Sequence, residues 1–271
     1  MTKLTPQELA AGKNVMKQCL AVKPGESVLI VTDPTRRLLA GIFETAAKEI
    51  TAKVDVAVVS GMTGNAQEPP QSVADKMLKA DVALLITTYS LSHTQARKQA
   101  CTAGCRIASM PGITLDMIQR TLLADYSQIA TLSDKLARIL TDGQTAKLTS
   151  PAGTNLQLAL GNRLGESDNG LYTQAGSFGN LPAGEACIGP LEGQTRGILV
   201  IDGAIADITL AKLSPNVLEA EKVFGTCHVA LGSNISYGGK VDVPFHSDGI
   251  VLQPTLQIDG KIIIKAGKFL L

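Results

Sequence analysis

The sequence predicts an α/β protein in two parts. An N-terminal doubly wound parallel-sheet domain covers residues 1–145, and a β-rich α+β domain covers 146–271. Three observations carry this. In the first half, continuous apolar runs of strand length alternate with helix-period segments, the pattern of parallel strands covered on both faces. From Ala146 onward, glycines, turn formers and short alternating segments take over. At about 150 residues per domain, the length of 271 residues is also consistent with two domains, or with one large one.

The elements follow in order. Pro24-Gly25 turns the chain into a first strand at 27–31. Pro34 sits where a helix can begin, and 36–50 reads as that helix, with Leu38, Leu39, Ile42, Phe43 and Ala46 on one side. A β-branched strand at 53–60, a helix at 71–79 and a buried strand at 81–88 come next. A helix at 94–103 and a short strand at 106–108 follow, and Pro111-Gly112 ends that strand. Segments 115–123 and 132–140 read as two further helices. In the second half, 156–160, 197–201, 229–231, 250–258 and 261–264 read as strands. Asp202-Gly203 and Asp259-Gly260 read as hairpin turns of the Asp-Gly type.

Composition excludes several classes of function. The 25 Lys+Arg nearly cancel the 24 Asp+Glu, which leaves no basic field for nucleic acid and no charge drive toward a membrane surface. A local basic patch stays open. Aromatics are 3% of residues and Trp is absent, a poor basis for stacking on bases. The five cysteines (Cys19, Cys101, Cys105, Cys187, Cys227) are an odd set in a long chain and do not read as a secreted disulfide framework. The first residues lack the apolar core of a signal peptide, and no apolar run approaches the roughly 20 residues that span a bilayer. The expectation is a cytoplasmic protein with a small-molecule or short-peptide substrate, no nucleic-acid partner and no membrane partner.

Nucleotide fingerprints fail. Thr32-Asp33-Pro34-Thr35-Arg36 follows the first strand in place of a G-x-G-x-x-G, and no P-loop pattern occurs. The three histidines carry more. In His246-Ser247-Asp248, an extended chain turns the first and third residues to one face, with Cα atoms roughly 6.5 Å apart. His228 lies on a strand of the same half. Two His and one carboxylate form a facial triad that leaves positions open on a metal. On spacing alone, a plain His–Asp salt bridge with an unrelated His serves equally well.

Glu185 follows the turn-forming run 179–184, a loop that can present a carboxylate into a cavity, although a solvated loop acid is the simpler reading. Glu219, Glu221 and Lys222 read first as a charged surface segment. His93 follows the third strand, at the carboxyl end of a sheet where open α/β folds place ligands. It serves either as a general acid/base or as a helix-entry residue with Ser92 as the cap. Cys101 and Cys105 lack a second pair to complete a zinc site and read as core thiols. Alternation turns Cys227 away from His228, which argues against a Cys–His dyad.

Several of these segments together resemble one family. Residues 179–185 (GNLPAGE) resemble the N-L-P-x-G-E loop of the thermophilic metallo-aminopeptidases, the aminopeptidase T or leucyl aminopeptidase-like family. Residues 219–239 and His246-Ser247-Asp248 resemble its G-x-x-H-x-A-L-G and H-x-D blocks. Residues 89–97 (YSLSHTQAR) and 106–112 (RIASMPG) resemble its N-terminal segments, so the likeness covers nearly the whole chain. The same superfamily includes the iron-dependent 2,5-dihydroxypyridine dioxygenases.

The resemblance implies metal-ligand roles for Glu185, His228, His246 and Asp248. In the peptidases two divalent metals polarise the scissile carbonyl and supply a hydroxide. In the dioxygenases two His and one Asp hold one iron, matching His228, His246 and Asp248, and His93 matches an active-site histidine. The chain departs from the peptidase pattern in two places. Residues 201–208 run almost directly into 213–219, without the helix and Glu-bearing loop expected between them, so the second domain reads as shortened. The position of the peptidases' Tyr ligand falls near Ile235, with Tyr237 close by. A one-metal site survives both departures.

The first expectation is therefore a metallo-aminopeptidase-like hydrolase using zinc, cobalt or manganese, with Glu221 or His93 carrying protons. The alternative is an Fe(II) dioxygenase that cleaves a dihydroxypyridine-like ring. A third, which the missing segment motivates, is a binding protein without catalysis. Family enzymes often dimerise, and the resemblance extends to a homodimer.

Overall fold

The structure is a computed structural model that describes residues 4–201, 203–204, 225–232, 234, 238–242 and 246–271, with backbone alone at 203–204 and 246–248. The chain divides into two compact units. The first is Met1–Ala130 with Gly170–Ala183, and the second is Thr131–Asn169 with Gly184–Leu271.

In chain order the first unit holds α1 (Pro6–Asn14), a π-helical turn (Val15–Cys19), β1 (Val28–Thr32), α2 (Arg37–Lys48), β2 (Val54–Val58), α3 (Gln71–Lys79), β3 (Val82–Ile86), α4 (Gln95–Thr102), β4 (Arg106–Ser109) and α5 (Leu115–Thr121). Next, α6 (Tyr126–Asp142) runs through the division, and β5 (Thr145–Thr149), β6 (Asn155–Ala159) and β7 (Glu166–Asp168) belong to the second unit. The chain then returns to the first unit for β8 (Phe178–Asn180). The remainder, in the second unit, is β9 (Glu185–Cys187), β10 (Arg196–Ile198), β11 (Gly203–Ala204), β12 (Cys227–Gly232), β13 (His246–Val251), β14 (Thr255–Ile258), β15 (Lys261–Lys265) and β16 (Lys268–Phe269). Among the described residues, no helix is long and apolar enough to cross a membrane.

The first unit is built on a parallel sheet in the order β2-β1-β3-β4-β8. Its central strands β1, β3 and β4 are buried along their whole length, which is why they read as unbroken runs. Edge strand β2 is only partly covered: Ala57 is buried, Val54 and Val56 are half-buried, and Asp55 and Val58 are exposed. Leu29, Val31, Leu85 and Ile107 from the sheet meet Met77 of α3 and Leu91 in one core.

Three details differ from the sequence reading. Helix α1 was not expected, although Thr5 and Glu8 form a capping box at its start. Helix α2 begins three residues after Pro34, and its buried arc runs through Ala40, Ile42, Phe43, Ala46 and Ala47, leaving Leu38 82% exposed. The cap of α4 is Thr94, not Ser92: its hydroxyl accepts from the Arg97 N–H at 3.2 Å and donates to the Leu91 carbonyl at 2.7 Å. Thr94→Ala should therefore cost about 1 kcal/mol of stability, read as a lower midpoint in urea unfolding.

The second unit carries an antiparallel sheet in the order β10-β6-β5-β14-β15-β16 and two small ladders, β11-β13-β12 and β7-β9. The single strand expected over 250–258 breaks in two. Gln253 takes a left-handed φ of 47° before Pro254, so β13 and β14 join different ladders. The Asp259-Gly260 hairpin forms as expected between β14 and β15, with φ of 46° and 82°, the left-handed pair such a turn needs. Asp202 lies outside the described residues, and Gly203 opens β11, which pairs with β13.

The sequence draws one boundary at 145/146, whereas the units interleave. Two packing facts account for this. β8 supplies the parallel neighbour that β4 would otherwise lack, which draws 170–183 back to the first unit. The apolar face of α6, with Leu136, Ile139 and Leu140, packs on Ile258, Ile263 and Ile264, which assigns 131–142 to the second.

Candidate metal centre and its surroundings

The N-L-P-x-G-E segment is fixed from both ends. Gly179 sits on β8 against Tyr172, and a Cβ there would lie 2.4 Å from the tyrosine ring and its oxygen, so only glycine fits. The Tyr172 hydroxyl donates to the Asn180 carbonyl, and the Leu181 N–H donates to the Ser109 carbonyl at 2.9 Å. The Leu181–Pro182 bond is cis, and Gly184 has a φ of 131°. Strand β9 then begins at Glu185, so the carboxylate is held on a strand rather than on a free loop. β9 pairs with β7, placing Asp168 directly opposite Glu185, and the Gly184 N–H donates to the Asp168 carbonyl at 3.0 Å. Asp168 was missed by sequence reasoning. β7 is three residues, Glu-Ser-Asp, without apolar alternation, so nothing local announces a strand. Burial pushes the neighbouring Glu166 carboxyl above its ordinary value.

Three predicted ligands lie on the β12–β13 ladder. Its register pairs His228 with Ile250, Ala230 with Asp248 and Gly232 with His246. Directly paired residues and every second residue share a face, so positions 228, 246 and 248 fall on one side of the ladder. The other side is core: Cys227 and Val229 pack with Leu148, Leu156 and Val251. Burial pushes the Cys227 thiol up to about 12, and strand alternation turns it away from His228 as expected. Cys105 is likewise buried, with its thiol pushed up to about 12. None of the five cysteines is in a disulfide.

Glu185 and His228 line one cavity of about 440 Å³ in the second unit. For His246 and Asp248 only the backbone is described, and Glu221, Ile235 and Tyr237 lie outside the described residues. Among the described residues, no three His, Cys, Asp or Glu side chains group as a metal centre.

His93 belongs to the first unit. It is exposed at the carboxyl end of β3, one residue before the α4 cap. Its backbone is anchored on both sides. The Ser92 hydroxyl donates to Ser109 Oγ at 3.1 Å, and Arg97 Nε donates to the Ser92 carbonyl at 2.7 Å while its guanidinium stacks 4.1 Å over Phe178. The strand order reverses between β1 and β3, so the 87–94 loop borders the switch-point crevice of this sheet. Asp33 braces the same crevice. Burial works to raise its pKa, but hydrogen bonds from Thr88 and from the Arg36 and Thr35 backbone prevail, holding its carboxyl below the usual range.

The whole fold has known counterparts. A 2,5-dihydroxypyridine dioxygenase from Pseudomonas putida KT2440 is similar with a TM-score of 0.77 and 15% identity, over 99% of this chain and 98% of that one. Wild-type AmpT from Thermus thermophilus is similar with a TM-score of 0.65 and 12% identity, over 98% of this chain and 99% of that one. At these identities the likeness establishes the fold. No curated protein matches the sequence. The model of the NicX family, 2,5-dihydroxypyridine 5,6-dioxygenase, matches residues 8–214, which is 207 of the 271 residues and includes His93 and Glu185, and the chain belongs to that family.

Proposed function

We propose that this chain is an iron-dependent dioxygenase that cleaves the ring of a dihydroxylated N-heterocycle, with His228, His246 and Asp248 as ligands and Glu185 as a further carboxylate of the same unit. The family match carries the proposal, and the fold of the Pseudomonas dioxygenase agrees with it. This replaces the hydrolase as the leading reading.

The donor set fits the metal. Two imidazoles and one carboxylate suit ferrous iron and leave positions open, and the ladder register gathers positions 228, 246 and 248 on one face. Cys227 faces the core instead, which keeps a soft sulfur donor out of the set. When bound, iron(II) supplies the one-electron chemistry through which dioxygen reacts with an electron-rich ring. The chain's own contribution is to hold the ligands on a paired strand and to move a proton. His93 takes that proton from a ring hydroxyl, in keeping with its exposed place on an anchored loop. His93→Asn should lower turnover by about a hundredfold and leave iron content unchanged.

The test is elemental analysis of the purified protein together with oxygen uptake on 2,5-dihydroxypyridine. One iron per chain and iron-dependent uptake are expected. The likeness to AmpT favours one other reading, a hydrolase using the same residues with zinc, cobalt or manganese. Amine release from peptides under argon, without oxygen uptake on the heterocycle, would select it. A protein that takes up no metal on reconstitution would overturn both.

A further inference from the structure

His93 sits between two points that a single connection holds. The connection is residues 59–70, which join β2 to α3. It leaves the sheet as a continuation of β2, with the Val59 N–H donating to the Thr32 carbonyl at 2.7 Å. Gln67 closes it on itself, its side-chain oxygen accepting from the Thr63 N–H at 2.8 Å. Asn65, Ala66, Gln67 and Glu68 are all exposed, so apolar packing does not explain where they lie. Hydrogen bonds do. Asn65 Oδ1 accepts from the Ser90 N–H at 2.9 Å, and the Ala66 N–H donates to the Ser90 carbonyl at 2.8 Å. Ala66 holds a left-handed φ of 62° there, which costs an alanine about 1 kcal/mol. Glu68 reaches the start of α4, where one carboxylate oxygen accepts from the Gln95 N–H and the other from the Ala96 N–H at 3.1 Å.

The clamps at Ser90 and at Gln95-Ala96 bracket His93 in the chain. A helix leaves its first N–H groups without partners of its own. In α4 Thr94 serves Arg97 through its hydroxyl and Lys98 through its carbonyl, and Glu68 serves the remaining pair, Gln95 and Ala96. A carboxylate there also meets the positive end of the helix dipole. Ser92 is fixed separately, by Arg97 and Ser109. With Glu68 withdrawn, two amides of α4 lose their acceptor, and the chain that follows His93 is free to shift while Ser92 stays in place. A misplacement of about 1 Å at a group that moves a proton costs up to about a hundredfold in rate.

We propose that Glu68, together with Asn65, is a positioning residue for His93: the connection after β2 sets where the imidazole on the β3–α4 loop stands. The inference rests on His93 as the proton carrier of the proposed reaction. The test is a double-mutant cycle on oxygen uptake with 2,5-dihydroxypyridine. Glu68→Ala should lower kcat about tenfold and leave KM and iron content nearly unchanged. Glu68→Gln keeps one side-chain oxygen for an amide N–H and should recover part of the loss. In a His93→Asn background, Glu68→Ala should cost nothing further, because the group it positions is already gone. Equal losses in the two backgrounds would overturn the proposal, since a general weakening of α4 acts with or without the imidazole. An unchanged kcat in Glu68→Ala would overturn it as well. Should Glu68→Ala fail to fold, Asn65→Ala removes the other clamp and should give the same pattern.

A second measurement does not need the reaction. The chain has only three histidines, so the His93 imidazole signal in the NMR spectrum of the chelator-treated full chain is identified by its loss in His93→Asn. Glu68→Ala should shift or broaden that signal and leave those of His228 and His246 in place. A His93 signal that stays where it was would overturn the positioning role. Wild-type protein without oxygen uptake on the heterocycle would sink the dioxygenase reading alone, and the NMR result would still decide whether Glu68 places His93.

Discussion

His228→Ala should abolish iron-dependent oxygen uptake and strip the protein of bound iron, with little change in the fold. The argument starts from β12. Cys227 and Val229 pack into the core and hold the strand, while His228 occupies the alternate position. Removing its imidazole therefore costs little packing. On the proposed reading it removes one of three ligands, and such a triad already leaves positions open to substrate and oxygen. Loss of a mere outer-sphere partner costs roughly 10–100-fold in metal affinity, and loss of a direct ligand should exceed that. Iron content after dialysis, oxygen uptake and the thermal melt would be measured on the same preparation. Leu231→Ala is the control, since Leu231 lies on the same strand and is 59% exposed. A His228→Ala protein that keeps one iron per chain and full turnover would refute the ligand set.

Much of the first unit was legible in the sequence because its strands are buried on both faces and so stand out as apolar runs. The missing pieces share a physical cause. Helix α1 carries a complete start signal in Thr5, Pro6 and Glu8, but alanine, glycine and polar residues give it no apolar stripe to read. β8 reads as Phe-Gly-Asn, and only its pairing with β4, some seventy residues earlier, makes it a strand. The same holds for β7 and β9, so Asp168 opposite Glu185 is a product of long-range pairing that no local pattern encodes. The candidate ligands were legible for the opposite reason. The chain has only three His, and in His246-Ser247-Asp248 the two-residue spacing puts an imidazole and a carboxylate position on one strand face, although the family resemblance was needed to prefer a metal site over a salt bridge. What parity could not supply was the break at Gln253, where a left-handed backbone turn separates β13 from the sheet that follows.

The largest loss of stability should come from a buried ion pair of the first unit. Arg106 begins β4 and is 8% exposed. Its guanidinium grips Glu26 with two bonds, Nη1 to Oε1 at 3.0 Å and Nη2 to Oε2 at 2.7 Å, while Nε donates to the Leu20 carbonyl at 3.1 Å. Arg106→Met leaves a carboxylate and a buried carbonyl without these donors. Breaking one side of a buried pair costs about 3–5 kcal/mol, and the partial exposure of Glu26 places the loss near the lower end, about 3 kcal/mol. Glu26→Gln should also destabilise, since it leaves the arginine charge unneutralised.

The double variant, Arg106→Met with Glu26→Gln, should be less harmful than the sum of the two, because neither charge is then stranded. The pH dependence carries its own sign. The Arg106 hydrogen bond, ahead of the opposing effect of burial, holds the Glu26 carboxyl below its ordinary 4.5. Its contribution is therefore fully present above pH 4.5 and is lost as pH falls through the lowered folded-state value. Urea unfolding of the wild type and Glu26→Gln should show a constant gap from neutral pH down to about 4.5, a gap that shrinks as pH falls from there through the lowered folded-state value, and little further change below it. A gap that stays constant throughout the acid range, or single and double variants that simply add, would show that the two side chains do not act as a pair.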